Sequence, residues 1–179
     1  MTTTSIRRAA AALAALGLAA GLAATPAAAA EPAPLTARTI VDRAEIQDLL
    51  TRYYYNLGHS GAEGFSAFYA DGAELILGKS SYKGKEGIER AYSSVPADVP
   101  QRKAWSFNVL LSNPLVAVHG DTATAQVIFT EIVIDKEGDA PRILTQGREY
   151  DHLVKVGGRW KFSRRQITPG AQQPADWDG

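Results

Sequence analysis

Between residues 42 and 57 the apolar positions recur at helical spacing, with Ile46, Leu49, Leu50, Tyr53 and Leu57 on one stripe. Asp42 followed three residues later by Glu45 has the form of a capping box, and Gly58 is the expected stop. The pattern therefore predicts a helix over 42–57. Phe65, Phe68 and Tyr69 mark the buried side of a second, short helix over 62–69. Asp71-Gly72 reads as a turn, and short strands over 74–77 and 80–83 flank Gly78. Ile88, Ala91 and Tyr92 give the inner face of a third helix over 85–94. A loop over 95–101 follows, with prolines at 96 and 100.

From Lys103 the period changes from helical to alternating. Strands are predicted over 103–112, 114–119, 121–135, 142–156 and 159–167. They are separated by Asn113-Pro114, His119-Gly120-Asp121, Lys136-Glu137-Gly138-Asp139 and Gly157-Gly158; the last three have hairpin chemistry. If Gly157-Gly158 is a two-residue turn, residues whose numbers sum to 315 pair, placing Asp151 opposite Arg164 and His152 opposite Ser163. Proline within a strand is tolerated mainly at bulges and edges, so Ser112-Asn113-Pro114 is a bulge candidate. Helices first and an antiparallel meander afterwards predict an α+β fold. Three N-terminal helices pack on one face of a strongly curved, mainly antiparallel sheet, whose twist and bulges let it enclose a pocket.

The first thirty residues stand apart from this pattern. A short segment ending in Arg7-Arg8, an Ala/Leu/Gly run over 9–24 and a close on Ala28-Ala29-Ala30 have the order of a secretory signal peptide cleaved after Ala30. The run is too short and too weakly apolar for a membrane span. A secreted, extracytoplasmic protein is expected, with no stable membrane insertion after cleavage. Residues 31–40 then form a flexible lead-in, 41–167 one domain, and 168–179 an irregular tail containing Trp177.

Without the leader, 149 residues remain, enough for one core. They carry 17 basic and 19 acidic side chains, a net charge of −2, since the leader holds two arginines and no acid. No basic block points to nucleic acid or to anionic lipid. With no cysteine, disulfides and thiol chemistry are excluded. The three histidines, at 59, 119 and 152, lack H-x-x-x-H spacing, which argues against a metal site. Absence of a G-x-S-x-G, phosphate-loop or dinucleotide motif leaves no cofactor expected.

Asp42 to Tyr53 resembles the first helix of the SnoaL-like family, within the nuclear-transport-factor-2-like superfamily of cone-shaped folds. Phe68-Tyr69-Ala70-Asp71-Gly72-Ala73, Gly84-Lys85-Glu86-Gly87-Ile88, and Ser112-Asn113-Pro114 with Gly120-Asp121-Thr122-Ala123 resemble successive family segments. Gly147 to Asp151 and Gly158-Arg159-Trp160-Lys161-Phe162 resemble its last hairpin. The matches lie in register over nearly all of the mature chain. The family includes polyketide cyclases, dehydratases, isomerases and epoxide-opening enzymes, as well as members of no known activity. The resemblance implies a pocket for a small apolar or aromatic molecule and a homodimer joined through the open sheet face. Dehydratase-like members use a helix-one tyrosine, an aspartate five residues on, and a histidine on the first long strand. Tyr53 matches the tyrosine, but the aspartate position is Gly58 and the histidine position falls at Val109 or Leu110.

Each candidate residue has a functional and a structural reading. Tyr53 is either a phenol directed into the cavity as donor or weak acid, or a core aromatic. His59, beside the missing aspartate, is either a replacement base or a surface loop residue. Glu131, inside the apolar run 127–134 and on the face of Phe129 and Val133, is either a cavity base with a raised pKa or an ion-paired residue. Asp151 is either a proton acceptor or half of a cross-strand ion pair. Trp105, Phe107, Asn108, Val109 and Phe68 are candidate ligand contacts, with ordinary core packing as the alternative. Two functions stand: a cofactor-independent cyclase, dehydratase or isomerase working by proton transfer, and a non-catalytic binding protein of the same fold.

Overall fold

The computed structural model describes residues 34–57, 64–170 and 172–179. The predicted signal segment, Gly58 and His59 lie outside the described residues.

The first helix, α1, spans Ala37–Leu57 and buries Ile46, Leu49, Leu50 and Tyr53, the stripe expected from periodicity. It begins earlier than Asp42. Thr36 caps it, its Oγ1 accepting from the Thr39 amide at 3.2 Å. Asp42 is thus not a cap. It sits within the helix, buried, and accepts from Lys155 Nζ and from Trp160 Nε1 at 3.1 Å, tying α1 to the last hairpin.

The second helix contracts to a 3₁₀ turn, Phe65–Phe68. Tyr69 already belongs to β1 (Tyr69–Leu77), which pairs with β2 (Ser80–Lys83). Asp71-Gly72 does not end the strand; it is absorbed in a register break between Tyr69 and Glu74, with Gly72 at φ 72°. The third predicted helix is α2 (Gly84–Ser93), with Ile88, Ala91 and Tyr92 buried as expected. The proline loop ends in a single helical turn, α3 (Pro100–Lys103), with proline where a missing N–H costs nothing.

Four long strands complete the sheet: β3 (Ser106–His119), β4 (Thr122–Ile134), β5 (Arg142–Val156) and β6 (Arg159–Pro169). Strand order is β2-β1-β6-β5-β4-β3, antiparallel except for the β1–β6 pair. The expected bulge is present: β3 continues through Asn113 (φ 52°) with a register break between Ser112 and Leu115. Alternation sends Val127, Phe129, Glu131 and Val133 of β4 and Glu149, Asp151 and Leu153 of β5 to the helix side, where the core lies.

Gly157-Gly158 is the two-residue turn expected, with φ of 57° and 78°, and pairing starts at Val156–Arg159. The sum rule holds as far as Leu153–Phe162. There β6 gains one residue, Ser163, and beyond it Arg164 faces His152 and Arg165 faces Asp151. One inserted residue exchanges the two faces of a strand, so Arg165, not Arg164, enters the interior.

Candidate functional site

The helices and the concave side of the sheet leave a half-open cleft of about 900 Å³. Tyr53, Tyr54 and Leu57 come to it from α1, Tyr92 from α2, Gln101 and Arg102 from α3, Phe107 from β3, and Phe129 and Glu131 from β4. Trp105 stands at its mouth, 58% exposed. The walls are mainly aromatic and aliphatic, which suits a flat apolar molecule.

Two phenols of the inner wall, Tyr53 and Tyr92, are connected to a third, Tyr69, buried behind them. Tyr53 and Tyr92 share a hydrogen bond between their hydroxyls, and Tyr69 reaches the Tyr92 hydroxyl at 3.2 Å. Tyr92 stacks on Phe65 with ring centroids 4.3 Å apart. Burial raises the pKa of Tyr69 and Tyr92, Arg165 opposes this, and Asp151 adds to it. Both phenols stay protonated and serve as hydrogen-bond donors.

Glu131 is half-buried on the same cleft. Its Oε2 accepts from Gln101 Nε2 at 2.9 Å. Desolvation raises its pKa, partly offset by that hydrogen bond. Glu131 thus lines the cleft, with no cation paired to it among the described residues.

Behind the tyrosines lies a charge cluster. Glu149, Asp151 and Arg165 have no exposed surface. Arg165 Nη2 bonds to Glu149 Oε2, while its Nε is 3.7 Å from Asp151 Oδ1, too far for a hydrogen bond. The guanidinium lies 4.0 Å from the centre of the Tyr53 ring and 4.4 Å from that of Phe162. Its Nη2 also donates to the Tyr54 hydroxyl at 3.2 Å. Burial drives Asp151 well above the ordinary carboxylate range; Arg165 pulls it back and Glu149 pushes it further. Burial also raises Glu149, against the pull of Arg165. For Arg165, burial works against the charge, but the carboxylates outweigh it and raise its pKa. Glu149 is bonded directly to the guanidinium, whereas Asp151 lies beyond hydrogen-bond reach of it, so burial favours the protonated form of the more weakly paired acid.

The structure brings Tyr53 and Glu131 to one cleft, with Phe107 in its wall and Trp105 at its rim. Asp151 lies beside Arg165, wholly buried and outside the cleft lining. Phe68 packs edge-on to Tyr53, ring centroids 5.6 Å apart, outside the lining. Asn108 and Val109 border a separate groove of about 300 Å³ between α1 and β3, where the Asn108 amide donates to Ser106 Oγ at 2.9 Å. His59 lies outside the described residues. Sequence reasoning missed Tyr92, Tyr54, Glu149 and Arg165. The Glu149-x-Asp151 spacing was a usable signal, since it puts two carboxylates on one strand face. Arg165 became visible only with the bulge. Among the described residues, no three His, Asp or Glu side chains converge as a metal site would need.

The profile of the SnoaL-like domain matches residues 38–166, most of the chain and all of the cone. The chain belongs to the SnoaL-like family. Solved structures of the same fold include a Novosphingobium aromaticivorans protein named as a candidate scytalone dehydratase, 20% identical over 76% of this chain and 89% of that one, TM-score 0.63. Aln2 from a Streptomyces species is 21% identical over 75% and 93%, TM-score 0.63. ActVI-ORFA from Streptomyces coelicolor is 15% identical over 70% and 95%, TM-score 0.62. Identities this low establish the shared fold alone. No curated protein matches the chain. Val109 is half-buried and Leu110 is 56% exposed, and neither side chain can move a proton.

Proposed function

We propose that the cleft binds a small aromatic or apolar molecule and moves a proton on it without a cofactor. Glu131 is the base, and the phenols of the inner wall hold the substrate. The observation that carries this is the convergence, in one apolar cleft, of an unpaired carboxylate with a raised pKa and hydroxyl groups kept protonated by burial. A carboxylate whose basicity is increased by desolvation suits removal of a proton from carbon. The named dehydratase among the fold relatives is in keeping with such chemistry.

Deuterium exchange beside the carbonyl of α-tetralone, followed by NMR in D₂O, tests this reading. The protein should accelerate exchange over buffer, and Glu131→Gln should lose that acceleration by roughly a hundredfold or more. Equal exchange by both forms would remove Glu131 from the chemistry. Tight binding without exchange would favour the non-catalytic reading, which the aromatic lining also suits. On the same footing we propose export: intact mass of the protein recovered from its producing cell should begin at Glu31.

A further inference from the structure

Two side chains at the rim of the cleft, Arg102 and Trp105, are not accounted for by packing. Trp105 lines the cleft yet leaves 58% of its surface to solvent, forfeiting the burial that an indole ordinarily supplies. Its backbone is fixed, the amide donating to the Asp135 carbonyl at 3.3 Å, so the ring is held at the mouth. Arg102 lines the same cleft and is also exposed. The turn that carries it is closed, with the Val99 carbonyl accepting from Arg102 at 3.0 Å and the Pro100 carbonyl from Ala104 at 3.0 Å. Its Nη2 donates to the Tyr92 carbonyl at 3.4 Å, a long bond that orients the guanidinium and leaves its other N–H groups free to donate. Among the described residues, no carboxylate pairs with it. Glu131, in the same cleft, is engaged instead by Gln101, the residue before Arg102.

We propose that Arg102 and Trp105 form a carboxylate-recognising rim, and that the cleft takes planar aromatic acids whose charged end stays at the mouth. A guanidinium fork matches a carboxylate with two parallel hydrogen bonds, and the indole face covers the adjoining apolar part of the molecule. One carboxylate suits the charge on offer. Among the described residues, Arg102 is the one cation in the cleft lining, and Lys103, next in sequence, lies outside it. Glu131 on the β4 wall repels a negative charge carried further in, which sets the polarity of the bound molecule: acid outward, apolar body inward against Phe129 and Tyr53. A neutral molecule of the same shape forgoes the guanidinium contact, so the rim discriminates where the apolar walls do not. The inference deepens the proposed reading by naming a ligand class. It rests on the cleft's being an aromatic-ligand site and not on proton transfer by Glu131.

The probes are 2-naphthylacetate, ionised at neutral pH, and its methyl ester, which has the same ring system and no charge. Binding of each is measured by isothermal titration calorimetry at low salt, in the unaltered protein, in Arg102→Met and in Trp105→Ala. The expected preference for the carboxylate over the ester is roughly tenfold, falling as salt rises. Arg102→Met should erase it with ester affinity unchanged, which also shows that the variant folds. Trp105→Ala should weaken both probes alike, by roughly fivefold, and keep their ratio. A preference that survives Arg102→Met, or none in the unaltered protein, overturns the carboxylate rim while the cleft stands as an aromatic site. Loss of ester binding in Arg102→Met also overturns it, because Arg102 then supports the fold rather than the ligand. Ester affinity untouched by Trp105→Ala removes the indole from the rim. If neither probe binds, the inference falls, and exchange on α-tetralone still judges Glu131 on its own.

Discussion

Two buried acids in this protein act on stability with opposite sign. Asp42 has a lowered pKa, chiefly because Lys155 donates to it, with Trp160 assisting against the cost of burial. Its folded pKa lies below its unfolded one. Its contribution is therefore complete above the unfolded value, about 3.9 for aspartate, and is lost as pH falls through the lowered folded value. Asp151 is the reverse. Its folded pKa is raised, so the folded form holds a proton that the unfolded chain releases, and stability falls as pH rises from the ordinary aspartate value through the raised one. Asparagine mimics the protonated carboxyl in size and lacks the titration. Asp151→Asn should gain on the wild type in urea-unfolding midpoint as pH rises, whereas Asp42→Asn should lie furthest behind it near neutral pH and close that gap as pH falls through the acid range. Flat differences at both positions would mean that neither group titrates differently on folding. Arg165→Met would strand Glu149 as an unpaired buried charge, an effect of about 3–5 kcal/mol read in the same unfolding curves.

At the scale of elements, the strands and their turns were legible, and the irregularities that aim the site were mostly not. Alternation and turn chemistry gave β4 to β6 within two residues, whereas β3 starts three residues later than expected because Lys103 ends α3, and it runs through Asn113-Pro114 as one bulged strand. The extra residue at Ser163 has no proline to mark it. Nothing in Phe162-Ser163-Arg164-Arg165 disfavours regular pairing, and the shift is set by what must face β5 across the ladder. Asp151 was therefore matched with Arg164, and the buried partner was off by one. Asp42-x-x-Glu45 was a valid capping pattern, yet Thr36 caps the helix five residues into what looked like a proline-rich lead-in, because Asp42 has partners in the last hairpin. Gly147 shows how closely β5 is held beside the cleft. A Cβ there would sit 2.3 Å from the Thr168 carbonyl oxygen and 2.6 Å from the Phe129 ring. The ring can move, but the paired backbone of β6 resists. Gly147→Ala should destabilise by about 1–3 kcal/mol, visible as a lowered Tm, with only partial relief from Phe129→Leu. An unchanged Tm would show that β5 and β6 separate there at little cost.

The whole molecule has a second covered surface, on the side of the sheet away from the helices. There Trp177 of the C-terminal tail lies against Tyr150 and His152, with ring centroids 5.2 and 5.1 Å away. Tyr150 is 1% exposed although it points out of the core. A hydrogen bond between His152 Nε2 and Asp178 Oδ1 at 2.7 Å and an ion pair from Arg164 Nη2 to Asp176 Oδ2 at 2.8 Å accompany this contact. Both aspartates are well exposed, so solvent screens the pairs, and exposed pairs of this kind contribute about 0–1 kcal/mol each. Edge-to-face aromatic contacts add about 0.5–1.5 kcal/mol beyond the apolar area they cover. The indole, rather than the charges, therefore holds the tail on the sheet. Trp177→Ala should release residues 172–179 to limited proteolysis and expose Tyr150 to solvent, seen as faster amide exchange along the outer face of β5. Asp176→Asn, Asp178→Asn and high salt should each leave the tail in place. If salt alone releases it and Trp177→Ala does not, the polar contacts are the fastening and the ranking is reversed.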